Sequence, residues 1–217
     1  MVSPIESVRK SPDSVKAKLL HSAGKLFGDF GYHGTTTRMI AKEVGVDIST
    51  LYYHWGEKGD IYKSVIAYLD EGSKEKLIDV AKKIEGLPLG QRIDIAIDEL
   101  IDYLFEHPEI PNLLISRYFT KIRHDVEYDG RFPEFISGVA VTMGLADDKE
   151  NVSNQAKMKM LFIMHAMQNF VTGSNFFIPI LGVDLETYIK EAKEAIKFFL
   201  VPPFANMEKG NSEKNVI

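Results

Sequence analysis

Cysteine is absent from the 217 residues. That absence removes disulfides, zinc–thiolate centres, iron–sulfur clusters and thiol nucleophiles together. Long apolar runs are missing as well: nothing approaches the roughly 18 residues that a membrane helix needs. The opening segment, MVSPIESVRKSPDS, lacks the apolar core of a secretory signal. A cytoplasmic chain with no membrane contact is therefore expected. The signatures of common catalysts are missing too. There is no GxSxG, no P-loop and no dinucleotide fingerprint. The histidines, at positions 21, 33, 54, 107, 124 and 165, show no metal-ligand spacing. Asp125–Gly130 starts like a calcium loop, but the twelfth position, where a bidentate glutamate is required, is Ile136. No enzyme, metal or cofactor is expected.

What is present is apolar enough to fold. Hydrophobic residues make up 45% and charged residues 26%, which predicts a buried core. The formal net charge is −5, unevenly spread. Residues 1–64 carry nine Lys/Arg against seven Asp/Glu; the remainder carries seventeen against twenty-four. A mildly basic front and an acidic remainder point to two tasks.

Periodicity predicts an all-α chain of about nine helices. Val15, Leu19, Ala23, Phe27 and Phe30 recur at three- and four-residue steps. Ser11-Pro12 is expected to open that first helix and Gly31 to stop it. Further helices are expected at 37–44, 48–55 and 58–84, then near 90–106, 109–124, 132–144, 151–178 and 184–200. Pro202-Pro203 is expected to close the last one and leave 204–217 as a flexible polar tail.

Residues 36–58 stand out. Two short helices flank Gly45, and Ile40, Ala41, Val44, Val46, Leu51 and Trp55 are spaced to fold one against the other, a helix-turn-helix arrangement. An ordinary helical hairpin would expose Lys and Glu on its second helix. Here Ser49, Thr50, Tyr52, Tyr53 and His54 remain outside. Hydroxyls and rings of this reach suit a groove in which phosphates and base edges are contacted.

The segment over residues 14–63 resembles the DNA-binding domain of the tetracycline-repressor (TetR) family. The resemblance rests on Leu26-Phe27, Gly31-Tyr32, Thr36-Thr37, Ile40-Ala41, Gly45-Val46, Thr50-Leu51-Tyr52, His54-Trp55 and Lys58. Ser49, where relatives often carry glycine or proline, and Trp55, where phenylalanine is commoner, depart from the pattern. The resemblance implies that Thr36, Thr37 and Arg38 meet phosphate at a helix start. It implies that Ser49, Thr50 and Tyr53 face base edges, that Tyr52 and His54 touch the backbone, and that Lys58 anchors a phosphate. Tyr32 and Trp55 are expected to pack.

The implied organisation is a DNA-binding domain at 1–58, a ligand-binding and dimerisation domain at 59–203, and the tail. The implied function is a ligand-responsive regulator, a repressor that binds a palindromic operator as a homodimer and is released by an effector. Dimerisation is expected through the helices near 151–178 and 184–200, with Ile189, Ala192, Ile196, Phe199 and Leu200 supplying apolar contacts. The Met- and Phe-rich stretch 158–177 reads as core and interface, and also as one wall of a permissive pocket. Candidate effector contacts are Arg117, Tyr118, Met164, Met167, Gln168, Phe170 and Phe176, for a small, mainly apolar molecule. Were Arg117 to point inward, it would call for an acidic head group. The competing expectation is a TetR-like module that has lost operator binding and activates a partner protein. The hydroxyl-rich second helix argues against it.

Overall fold

The computed structural model describes residues 4–119 and 131–214, with side chains over 4–116 and 134–205. The described residues form eleven α-helices and no strand. These are α1 (Pro4–Lys10), α2 (Val15–Gly34), α3 (Thr37–Val44), α4 (Ile48–Trp55), α5 (Lys58–Ile84), α6 (Leu89–Glu106), α7 (Glu109–Phe119), α8 (Arg131–Thr142), α9 (Asn154–Thr172), α10 (Ser174–Leu181) and α11 (Leu185–Lys214). The expected continuation of the seventh helix to 124 and the turn at 125–130 lie outside the described residues.

The count exceeds nine for two local reasons. α1 was not expected, because its sequence offers little periodicity. It is held by Val8, 1% exposed, and by ion pairs from Arg9 to Glu71 and Glu75 of α5. The expected helix at 151–178 is divided at Gly173, so that α9 ends there and α10 begins anew. The cap of α2 also differs from expectation. Ser14 rather than Ser11 accepts the N–H of Ala17, at 3.2 Å. Gly31 does break α2, with φ 68°.

Pro202-Pro203 does not close the last helix. α11 runs on to Lys214, and Phe204 is buried at 5% exposure. Burying that ring is worth roughly 1.5–3 kcal/mol, which offsets part of the cost of the two prolines, about 3 kcal/mol or more each in a helix interior.

The helices pack as two compact units. The first holds residues up to Glu75 together with α7; the second holds Lys76–His107 and the helices from α8 onward. The first unit thus takes in more than the expected 1–58. Its core is Leu19, Leu20, Ala23 and Phe27 of α2, Ile40 and Ala41 of α3, Leu51 and Trp55 of α4, and Ile61, Tyr62 and Val65 of α5. Gly28 lets α7 come close: a Cβ there would lie 3.0 Å from the Glu109 backbone. In the second unit α6 lies along α11. The core there gathers Ile93, Ile97 and Ile101 with Met160, Met167, Ile196 and Leu200. Outside this seam runs an ion-pair ladder. Lys193 meets Asp102 at 2.6 Å, and Lys197 meets Asp98 at 2.6 Å and Asp94 at 3.2 Å. No described helix is long and apolar enough to cross a membrane.

Candidate nucleic-acid interface

The α3–turn–α4 hairpin is built by caps that its own sequence supplies. Thr36 opens α3 by accepting the N–H of Met39 on its hydroxyl, at 3.2 Å. Gly45 closes α3 at φ 75° and ψ 33°. That left-handed conformation costs a side-chain-bearing residue roughly 1–2 kcal/mol. The turn is sealed by the N–H of Val46, which donates to the Ala41 carbonyl at 3.0 Å. Asp47 occupies the cap position of α4, but its carboxylate makes no cap bond. α4 ends at Gly56, φ 71°. α5 restarts at once, because Asp60 accepts the Glu57 N–H at 2.9 Å, which is the return half of a capping box.

Tertiary contacts then fix the angle of α4. Leu51 is fully buried and Trp55 is 5% exposed. The indole Nε1–H donates to the Lys16 carbonyl of α2 at 3.0 Å, and the Lys16 ammonium stands 5.1 Å from the indole ring. Tyr32 packs too, its ring 4.9 Å from that of Tyr62 and 6.0 Å from that of Phe27. Both expected packing residues therefore pack.

Opposite this buried edge lie the expected DNA-facing residues. Tyr53 is 85% exposed, an unusual position for a tyrosine with no partner surface. Its ring meets that of His54 edge-on at 5.1 Å. Ser49, Tyr52, Thr36 and Arg38 are exposed, and Thr37, Thr50, His54 and Lys58 are half-buried. The hydroxyls of Tyr52 and Thr37 share a hydrogen bond of 3.4 Å, tying α4 to the first turn of α3. The start of α3, where backbone N–H groups accumulate positive charge, thus adjoins the phenolic end of Tyr52. Lys58 holds its ammonium 4.4 Å from the Tyr32 ring. Partial burial pulls that ammonium below the ordinary lysine range. No carboxylate among the described residues pairs with it.

Nothing in the sequence alone singles out Thr35 or Lys16. Thr35 is fully buried, and its hydroxyl hydrogen-bonds with the carbonyls of Leu26 and Gly31 at 2.8 and 2.9 Å, fastening the end of α2. The Thr35–Thr37 run held that signal, but only packing shows which hydroxyl turns inward.

The expected effector contacts are dispersed. Met167 and Gln168 are buried at 6% and 4% exposure. Met164 and Phe170 are half-buried against the second unit's core. Phe176 stands apart on α10 at 69% exposure, so it faces away from any interior site of this unit. The side chains of Arg117 and Tyr118 lie outside the described residues. One groove of about 440 Å³ lies between α6 and α11. It is walled by charge, including Asp102, Glu186, Lys190 and Lys193, and does not match an apolar effector.

Residues 19–65, which include the whole α3–α4 hairpin, match the family described as bacterial regulatory proteins, tetR family. The chain is 34% identical over 148 residues to IcaR, the negative transcriptional regulator of the biofilm operon icaADBC in Staphylococcus aureus, covering 67% of this chain and 73% of that one. It is 27% identical over 134 residues to an HTH-type transcriptional repressor of Streptomyces coelicolor, covering 60% of this chain. The match spans 65% of that relative's own length and 47% of a Bacillus subtilis regulator's. Among solved structures, a TetR-family transcriptional regulator of Streptomyces coelicolor shares the fold, with a TM-score of 0.62 at 17% identity over 94% of this chain and 97% of that one. The chain belongs to the TetR family of bacterial regulatory proteins.

Proposed function

We propose that this protein is a ligand-responsive transcriptional repressor that binds a palindromic operator as a homodimer and releases it on binding a small, mainly apolar effector. The carrying observation is the outer surface of α3 and α4. Tyr53 is 85% exposed, the Tyr52 and Thr37 hydroxyls are joined, and Lys58 is raised on Tyr32 without a counter-ion. In this reading Ser49, Thr50 and Tyr53 reach base edges. Thr36, Thr37, Arg38, Tyr52, His54 and Lys58 hold phosphates and set the register.

Dimerisation is supported by apolar side chains that the second unit leaves outside: Met158 and Phe162 on α9, Phe176 and Ile180 on α10, and Phe198 and Phe199 on α11. Apolar surface of this extent marks an interface. α10 buries none of its own residues, so a second copy of the chain gives its apolar sequence a use. Two-fold symmetry then sets the operator's symmetry, with half-sites one helical turn or a multiple apart. An effector acts by binding one arrangement of the dimer better than the other. The test is a mobility shift with genomic fragments, followed by footprinting of the bound fragment. A two-fold symmetric footprint that Tyr53→Ala weakens supports the reading. A pure dimer that retards no fragment removes it and favours a partner-protein role.

A further inference from the structure

α9 presents three strips. Met160, Met167 and Val171 are buried in the core, and Met158, Phe162, His165 and Asn169 are exposed. Between them Leu161, Met164, Gln168 and Thr172 recur at three- and four-residue steps, so they stand one above another along one flank. Leu161, Met164 and Thr172 are half-buried, and Gln168 is 4% exposed. Two atoms on this flank, Gln168 Oε1 and Thr172 Oγ1, are withdrawn from solvent and have no hydrogen-bond partner among the described residues.

Such groups are costly, and each needs an explanation. A helical threonine commonly returns its hydroxyl to the carbonyl four residues back, which would here be that of Gln168, and Thr172 does not do so. Two unmet groups one turn apart, on a strip otherwise made of Leu and Met, describe a polar end to an apolar surface. From Leu161 to Thr172 the strip carries no charged residue; Lys157, one turn before it and three turns from Gln168, is half-buried. The unmet atoms are an acceptor, Gln168 Oε1, and a hydroxyl, which donates and accepts, so their natural complement is an uncharged group that donates a hydrogen bond and can also accept one.

We propose that Gln168 and Thr172 form the polar end of the effector site, and that the effector carries a neutral carboxamide or hydroxyl on an apolar body rather than an ionic head group. This rests on the ligand-responsive reading above and assigns the ligand class within it.

The test uses the full chain with three probes of equal chain length: decanamide, decanol, and decanoate at pH 8. Decanamide and decanol are expected to raise the melting temperature and release operator DNA together, with decanoate about tenfold weaker or more. In Gln168→Leu the ligand-free melting temperature is expected to hold or rise, because an unmet polar group has gone. The decanamide response is expected to weaken about tenfold. Thr172→Val provides an independent variant with the same direction. If Gln168→Leu melts well below the parent while the decanamide midpoint of both variants is unchanged, Gln168 is structural and the proposal falls. If decanoate matches decanamide, the neutral-ligand class falls while effector control stands. If none of the three probes moves melting or operator release, both fall.

Discussion

Replacing Lys58 by alanine tests the phosphate-anchor role directly. Counterion release makes the logarithm of affinity fall with the logarithm of salt, at about 0.9 per neutralised phosphate. A two-fold dimer carries two copies of Lys58, so Lys58→Ala is expected to flatten the slope by about 1.8. Between 50 and 200 mM salt, the variant should then lose about twelvefold less affinity than the parent. The loss should be shared by all DNA sequences, because phosphates carry no sequence information. The folded state should notice little. The ammonium stands 4.4 Å from the Tyr32 ring, a contact worth about 0.5–1 kcal/mol at a partly exposed site. Lys58→Arg keeps the charge and should restore most of the slope. Fluorescence anisotropy on operator and scrambled duplexes, at four or five salt concentrations, gives both slopes. A parental slope in Lys58→Ala would refute the anchor role. A change near 0.9 would instead mean that only one protomer uses this contact.

Tyr53→Ala and Thr50→Ala should relax one or two operator positions in binding-site selection, each by roughly 1–3 kcal/mol of discrimination; an unchanged consensus would assign the reading to other residues or to DNA shape. Phe162→Glu combined with Phe198→Glu should yield folded monomers in sedimentation, since both rings are more than 60% exposed on the isolated chain; an intact dimer would place the interface elsewhere. Gly56→Ala should cost about 2–4 kcal/mol in urea unfolding. The positive φ of 71° resists a side chain, and the new Cβ would lie 2.7 Å from the Asp60 Oδ2 that caps α5; an unchanged midpoint would refute this. Glu99 is held by Lys76 and Lys83, whose hydrogen bonds lower its carboxyl from the ordinary 4.5 to about 2. The folded value is the lower one, so its stabilisation is complete above pH 4.5 and is lost as pH falls toward about 2. Because the site is partly solvated, Glu99→Gln should cost about 1 kcal/mol or less at pH 7 and flatten acid unfolding in that window; an identical acid profile would deny the group its role.

The α3–turn–α4 hairpin is legible in the sequence alone, because the forces that make it are local. Thr36 caps its own helix three residues on, Gly45 is needed at its own φ, and Ile40, Ala41 and Leu51 are close enough in the chain for spacing to reveal their shared face. The exposed hydroxyls and rings of α4 followed by subtraction. Elsewhere the deciding contacts are distant in the chain. α1 exists through one buried valine and ion pairs to residues more than sixty positions away. Phe204 stays helical beyond two prolines because a core waits for it. On α11, Ala192, Ile196, Leu200, Phe198 and Phe199 are equally apolar on paper, yet the first three are buried in their own unit and the two phenylalanines are left outside. The resemblance picks out Lys58, but its place over the Tyr32 ring shows only in the fold. Gln168 is one candidate contact among seven and Thr172 an ordinary polar position until burial removes their water and leaves an oxygen of each unmet. Periodicity tells which residues share a face. It does not tell what that face meets, because the partner is chosen by contacts distant in the chain.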